Sequence, residues 1–193
     1  MRSLEFQRYG RNKSTLINKS YIESGEYRRK FDQITDNANL ARLLYTKAKE
    51  MLYHRSGTEY EDMYWIDSEK NVVVASALNE KIREKVVYTP NILKAITDRT
   101  GIIAMHNHPH SMPPSIEDIN SFYAHGYENG IVICHNGTIF IYSTRNEVSE
   151  RLYESYYSKM IKRGFDEFDA QLGALVEIGH NGDIFIREVK YNE

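Results

Sequence analysis

Three histidines lie within five residues of this 193-residue chain, at His106, His108 and His110. They follow residues 102–105, an apolar run that is typical of a strand buried on both faces. Side chains alternate along a strand, so His106 and His108 point to the same side. Two imidazoles on one side of a strand can bind one metal ion, and Asp118 offers a carboxylate further along the chain. Three such ligands leave a fourth tetrahedral position open, as in catalytic zinc sites.

The loop after the histidines joins the strand to a predicted helix. It contains three of the four prolines of the chain, Pro109, Pro113 and Pro114, which restrict the backbone and stiffen the loop. Ser115 is the predicted N-cap of the helix, and Asp118 lies three residues later, in its first turn. Ser-x-x-Asp alone is a common capping pattern, and an isolated His-x-His is weak evidence for a metal. Their conjunction with a buried strand and a stiff loop favours a catalytic metal site.

Residues 105–119, MHNHPHSMPPSIEDI, resemble the signature of the JAMM (MPN-plus, JAB-domain) zinc metalloproteases, which include isopeptidases that remove ubiquitin-like proteins. The resemblance implies a Zn²⁺ ion held by His106, His108 and Asp118, with Ser115 helping to orient the reacting oxygen. The loop between His108 and Ser115 is one residue shorter than the usual family spacing. Within this family, the sequence most resembles the JAB-like domains of phage and mobile-element proteins.

The resemblance also implies a catalytic glutamate upstream, on a strand beside the metal. Glu59 and Glu61 both lie in the right place, and they share one face of the strand because they differ by two positions. We favour Glu61, since it directly precedes Met63 and Trp65, which we expect to be buried, whereas Glu59 lies nearer a turn. A plain surface charge is the alternative for either residue.

The remaining histidines and the single cysteine are not assigned to the site. His110 is expected to be a solvent-facing loop residue, and Cys134 a small buried side chain. One cysteine excludes a disulfide within the chain and any zinc cluster built from cysteines. It also excludes the zinc deaminases, whose metal ligands include a Pro-Cys-x-x-Cys pair.

The order of the predicted strands and helices that position these residues indicates an α/β fold, with a mixed β-sheet flanked by helices. Strands are expected at 60–66, at 72–75 and from 102 into the histidines. Two Asn-Gly turns, Asn136-Gly137 and Asn181-Gly182, each predict a β-hairpin. The resemblance implies that this layered fold is JAB/MPN-like, of the cytidine-deaminase-like type. Apolar residues at helical spacing, Leu93 and Leu152 among them, predict four helices, which end near Gly57, Gly101, Gly126 and Gly164.

Charge and pattern divide the chain into three parts. Residues 1–35 are expected to form a basic, largely irregular N-terminal arm, since the first thirty residues contain eight Lys or Arg against three Asp or Glu. Residues 36–145 are expected to form the JAB-like metalloprotease domain. Residues 146–193 are expected to add a helix and a β-hairpin that pack on the same domain.

Taken together, these features predict a zinc-dependent hydrolase of peptide or isopeptide bonds, with a protein or peptide substrate, ubiquitin-like proteins included. A net charge of −2 and a pI near 6.4 give little attraction to phosphate, so nucleic acid is not expected as a partner. The sequence has no bilayer-spanning run and no secretory signal, so a cytoplasmic protein without membrane contact is expected. Two alternatives stay open: a slow or inactive JAB-fold binding or scaffold module of a phage or mobile element, and a RadC-like DNA-associated protein. The oligomeric state is also open.

Overall fold

The structure is a computed structural model that describes residues 13–78, 81–83, 85–180, 182 and 184–191. Within these residues the chain forms an α/β fold, with one mixed six-stranded sheet and helices on both of its faces. The strands β1 to β6 are, in chain order, Met63–Asp67, Val72–Ala77, Ile102–His108, Asn129–Cys134, Ile139–Thr144 and Ile184–Glu188.

The strands lie side by side in the order β2-β1-β3-β4-β5-β6. β3 and β4 run parallel, and the other neighbouring pairs are antiparallel. The helices of the described residues, α1 to α7, are Lys19–Ile22, Gly25–Asp32, Ala38–Arg55, Pro90–Ile96, Ile116–His125, Glu150–Lys162 and Glu167–Gly179.

An apolar core lies on each face of the sheet, because side chains alternate along the strands. On β3, Ile103 and Met105 pack on the face of α1 to α3, whereas Ile102 and Ala104 pack on the face of α4 to α7. β3 is buried along its whole length, as expected for a central strand. The same alternation brings His106 and His108 to the α4–α7 face.

The described part of the N-terminal segment is helical, so the prediction of a largely irregular arm over residues 1–35 is wrong from residue 13 onward. A short 3-10 turn at Lys13–Thr15 is followed by α1 and α2. Side chains of Asn18 and Ser24 cap these two helices by accepting backbone N–H bonds. Residues 1–12 lie outside the described residues.

Long-range contacts explain why this segment is ordered. Tyr27 and Phe31 of α2 are fully buried, and both rings contact Tyr45 of α3. The ammonium group of Lys30, whose side chain is itself buried, donates a hydrogen bond to the carbonyl oxygen of Gly137 at 3.0 Å. One of the basic residues that indicated a separate N-terminal arm therefore anchors α2 to the β4–β5 turn.

The C-terminal segment also departs from its prediction, because it contains two helices and one strand rather than a helix and a hairpin. The residues just before His180, which were expected to form the first strand of the hairpin, form α7. β6 pairs instead with β5 in the main sheet. Leu175 and Ile178 are buried at helical spacing, and this burial decides the structure of the segment. Gly182, at a φ of 83°, reverses the chain after the helix; Asn181 and Asp183 lie outside the described residues.

Other local predictions are confirmed. The turn at Asn136-Gly137 joins β4 to β5 as a hairpin, with Gly137 at a φ of 89°. Thr89 caps α4, which begins at Pro90, and Ser115 caps α5. Leu93 and Leu152, whose spacing helped to predict their helices, are 36% and 42% exposed, so Leu93 does not lie on the buried side of α4 as expected. None of the described helices is both long and apolar enough to cross a membrane.

Candidate metal centre

The C-terminal end of β3 holds both predicted histidine ligands. His106 lies between Met63 of β1 and Val132 of β4, and His108 lies opposite Cys134 of β4, so the neighbouring strands fix the position of both residues. Their side chains are almost completely buried, with only 3% of His106 and 9% of His108 exposed. The two Nε2 atoms are 3.0 Å apart. The strand thus brings two imidazole nitrogens to one point.

The start of α5 brings Asp118 to the same point. The Ser115 hydroxyl accepts a hydrogen bond from the Asp118 N–H at 3.0 Å, and Asp118 Oδ2 accepts one from the Ser115 N–H at 2.7 Å. This capping box holds the carboxylate at the helix N-terminus. Asp118 Oδ1 lies 3.2 Å from His106 Nε2, and Oδ2 lies 3.3 Å from His108 Nε2. Capping and contact with the histidines are therefore compatible roles for Asp118.

These atoms lie close enough together to share one metal ion. Two ligands bonded to one zinc ion at about 2.0 Å lie about 3.3 Å apart when the geometry is tetrahedral. The two histidine nitrogens are 3.0 Å apart, each lies 3.2 or 3.3 Å from a different oxygen of Asp118, and one donor atom from each of the three residues lies within 4.8 Å of the others. Two imidazoles and a carboxylate form a donor set that suits zinc, and also other first-row divalent metals. Residues His106, His108 and Asp118 are therefore a candidate metal centre.

The backbone around the site orients His108. Its Nδ1–H donates to the carbonyl oxygen of Met112 at 2.9 Å, so in the neutral ring Nε2 keeps a lone pair directed at the site. Hydrogen bonds of this kind fix metal-binding histidines in many proteins. The Nδ1 atom of His106 is buried without a hydrogen-bond partner among the described residues.

The charges of the site explain its protonation without a metal. Burial opposes the charged form of His108, but the hydrogen bond and charge of Asp118, together with the charge of Glu61, raise its pKa to about 9. Burial likewise opposes ionisation of Asp118, but the two histidines hold its pKa well below the usual value. In the metal-free site His108 is therefore protonated at neutral pH.

Of the two candidate glutamates, the structure brings Glu61 to the histidines. Its carboxylate Oε1 lies 3.9 Å from His108 Nε2, and its side chain is 9% exposed. Glu59 forms an ion pair with Arg83 instead, with Oε2 at 2.8 Å from Nε, and it does not line the cavity at the site. Residues 61 and 62 come just before β1, which begins at Met63 rather than at residue 60.

A polar network behind the site was missed by the sequence analysis. Asn107, between the two histidines, points to the opposite face of the sheet and is fully buried. Its Oδ1 accepts a hydrogen bond from the Asp62 N–H at 2.7 Å, and its amide N–H groups donate to the Tyr60 carbonyl oxygen and to His135 Nε2. Arg55 pairs with the Asp62 carboxylate. Glu61 is thus held between Tyr60 and Asp62, whose backbone groups Asn107 binds. The feature of the sequence that could have indicated this network is a polar residue inside a buried strand.

His135 belongs to this network rather than to an inert turn. Its Nδ1–H donates to the Thr15 carbonyl oxygen at 2.6 Å, and its Nε2 accepts from Asn107. Burial lowers the pKa of His135, which favours the neutral ring that these two bonds require. The N-terminal segment is therefore connected to the strand that carries the candidate metal ligands.

A cavity of about 580 Å³ opens onto the candidate metal centre. Glu61, His106, His108, Ser115 and Asp118 all line it. Its other walls include the hydroxyl groups of Tyr88, Ser121 and Tyr127. These groups form a hydrogen-bonded chain, in which the indole N–H of Trp65 donates to Tyr127, Tyr127 donates to Tyr88, and Tyr88 shares a hydrogen bond with Ser121. The sequence analysis missed this chain because it joins residues from three separate segments.

His110 and Cys134, which were not assigned to the site, are exposed and buried as predicted. His110 is an exposed residue of the loop after β3, although it also lines the cavity. Cys134 is fully buried, and burial raises the pKa of its thiol.

The chain was compared with models of known protein families, with curated proteins and with solved structures, and none of the three comparisons found a match.

Proposed function

We propose that this chain is a zinc-dependent hydrolase of peptide or isopeptide bonds, of the JAMM type. The observation that carries the proposal is the convergence of His106, His108 and Asp118, whose donor atoms lie within 4.8 Å of one another. Glu61 lies beside His108, at 3.9 Å, and all four residues line one cavity. A base next to a metal with an open position is the arrangement that metal-assisted hydrolysis requires.

The order of elements supports a JAB-like fold for this hydrolase. The His-x-His pair ends a central strand, β1 beside it follows the glutamate, and the Ser-x-x-Asp helix α5 begins next to both. The shorter loop after His108 still brings Asp118 to within 3.3 Å of the histidine nitrogen. The missing residue therefore does not separate the ligands.

The ion would be held by His106 Nε2, His108 Nε2 and the Asp118 carboxylate. When bound, zinc is a Lewis acid that makes water a nucleophile near neutral pH, since it lowers the pKa of water from about 15.7 to about 7. Asp118 also balances the charge of the site, and its hydrogen bond from the Ser115 N–H keeps it in place.

Glu61 carries the proton in this proposal. Its carboxylate accepts a proton from the attacking water and later donates it to the leaving amine nitrogen, so one group acts first as base and then as acid. Only 7% of Glu61 is exposed, and this burial keeps bulk water from competing for the proton. Ser115 contributes its hydroxyl group, which lines the cavity and donates to the carbonyl oxygen as negative charge develops there.

The substrate is proposed to be an extended segment of a protein or peptide, such as the tail of a ubiquitin-like protein. β2 is an edge strand of the sheet, and it pairs with β1, which directly follows Glu61 and Asp62. Edge strands can bind an extended peptide through backbone hydrogen bonds. A peptide added beside β2 would run along the same sheet that holds the site.

The test is hydrolysis by the zinc-loaded full chain. The protein is incubated with a panel of isopeptide-linked peptides and ubiquitin-like fusions, and products are identified by mass spectrometry. We expect cleavage by the unaltered chain, a rate lower by about 10² to 10⁴ for Glu61→Gln, and a nearly unchanged rate for the matched control Glu59→Gln. A binding or scaffold module would cleave nothing in the panel, and full activity of Glu61→Gln would exclude the proposed base.

A further inference from the structure

A second cavity, of about 600 Å³, adjoins the candidate metal centre. His110, Met112 and Gln171 line both cavities, so the two form one continuous groove. The second cavity is also lined by four residues of the C-terminal helices, Tyr153, Glu154, Tyr157 and Glu167. We call these four residues the acidic groove.

The acidic groove is fixed relative to the metal ligands. Gln171 of α7 donates hydrogen bonds to the carbonyl oxygens of Pro113 and Pro114, at 2.8 and 3.0 Å, in the loop between His108 and Ser115. Tyr153 and Tyr157 stack in α6, with ring centroids 5.9 Å apart and an angle of 19° between the rings. The C-terminal helices therefore extend the cavity of the site in one defined direction.

The acidic groove carries two carboxylates that form no ion pair within the described part of the chain. Glu154 and Glu167 are exposed, and Glu117, also exposed, lines the adjoining cavity. Among the described residues, none of these three carboxylates forms an ion pair with a basic side chain. Burial, then Tyr157, Glu154 and Glu117, raise the pKa of Tyr153 to about 12, as expected where the local field is negative.

Metal ions and organic cations both bind to negative charge, and the residues that line the second cavity favour an organic cation. A metal ion would need at least three ligand atoms close together, but in the described part of the chain only His106, His108 and Asp118 form such a group. Tyrosine rings beside carboxylates bind an organic cation better, because the ring face attracts the cation while the carboxylates accept its hydrogen bonds. Arginine and lysine side chains are the cations that a peptide offers.

We propose that the acidic groove binds an arginine or lysine side chain of the substrate, next to the bond that is cleaved. The tyrosine rings contact the aliphatic part and the cation, and Glu154 and Glu167 accept its N–H bonds. This inference rests on the proposed hydrolase function, since it assigns a preference to the same groove. It predicts that the chain selects basic peptides, in spite of its near-neutral pI of 6.4.

The test measures binding, so that it does not depend on turnover. Immobilised full-length Glu61→Gln protein is mixed with a synthetic library of random decapeptides without cysteine, and the retained peptides are sequenced by mass spectrometry. We expect arginine or lysine to be enriched about tenfold over the input library. Adding Glu154→Gln and Glu167→Gln should abolish the enrichment. The matched control adds Glu69→Gln and Glu147→Gln, which remove the same charge from exposed positions outside both cavities, and should keep the enrichment.

Each other result overturns the proposal. Retention without basic enrichment means that the acidic groove binds no cation. Enrichment that survives Glu154→Gln/Glu167→Gln assigns the preference to another surface, and equal loss in the control variant assigns it to net charge. Zinc content and hydrolysis are measured separately, so a failure of the hydrolase proposal is distinguishable from a failure of the cation site.

Discussion

Zinc binding should release nearly two protons per ion at pH 7.5: about one from His108, which is protonated in the metal-free site, and most of one from the water that zinc acidifies to a pKa near 7. The pKa of this imidazole is about 9, so at pH 7.5 about 97% of the rings are protonated. The proton sits on Nε2, since Nδ1 donates to the Met112 carbonyl oxygen. A metal requires the neutral ring, and the proton must leave.

The sign of the pH dependence follows from the same pKa. As pH rises through about 9, the share from His108 should fall to about half a proton and by pH 10 approach zero, so the total should fall to about one proton, which comes from the water. Below pH 9, competition with the His108 proton alone weakens zinc affinity about tenfold for each pH unit. Replacing Asp118 by Asn removes a main cause of the raised pKa, so the pKa of His108 in the metal-free variant, followed by NMR of the imidazole, should be lower than in the unaltered chain.

Isothermal titration calorimetry measures this release directly. Zinc is titrated into the metal-free chain in three weakly coordinating buffers with different ionisation enthalpies, and the slope of the observed enthalpy against the buffer enthalpy counts the protons. Glu59→Gln is the control and should release as many protons as the unaltered chain. A slope below about 1 at pH 7.5 that rises toward 1 by pH 10 would mean that only the water releases a proton, and would refute the assignment of His108 as a protonated ligand.

Two further predictions concern the parts of the fold that support the site. Asn107→Ala leaves the buried Asp62 N–H without its acceptor, so it should lower the free energy of unfolding by about 1–3 kcal/mol. It should also slow turnover. An unchanged midpoint of urea denaturation would contradict the first expectation. Phe31→Ala empties a fully buried position in α2 and should cost about 3–5 kcal/mol in the same assay. A loss below about 1 kcal/mol would mean that α2 does not contribute to the core.

The convergence of the candidate metal ligands was predictable because their arrangement is local. Period-two alternation brings His106 and His108 to one side, and a capping pattern brings Asp118 to the start of a helix. Neither observation needs knowledge of distant segments. The choice between Glu59 and Glu61 was harder, since it depends on Arg83, which pairs with Glu59 from elsewhere in the chain.

The segments that the sequence analysis misjudged depend on distant contacts. The order of residues 13–35 comes from aromatic packing against α3 and from the Lys30 bond to Gly137. The Asn-Gly pairs illustrate the same limit: the first closes a hairpin, whereas the second follows a helix, because the burial of α7 decides what precedes the turn. The acidic groove is likewise invisible in the sequence, since it exists only where α6 and α7 meet the loop after β3.

The zinc content of the purified chain is the most direct measurement of the central claim, that His106, His108 and Asp118 hold one ion. Inductively coupled plasma mass spectrometry should find about one zinc per chain. His106→Ala/His108→Ala should reduce this to a small fraction, whereas the matched control His110→Ala/His180→Ala should retain it. Zinc content near that of the unaltered chain in His106→Ala/His108→Ala would contradict the assignment of the site.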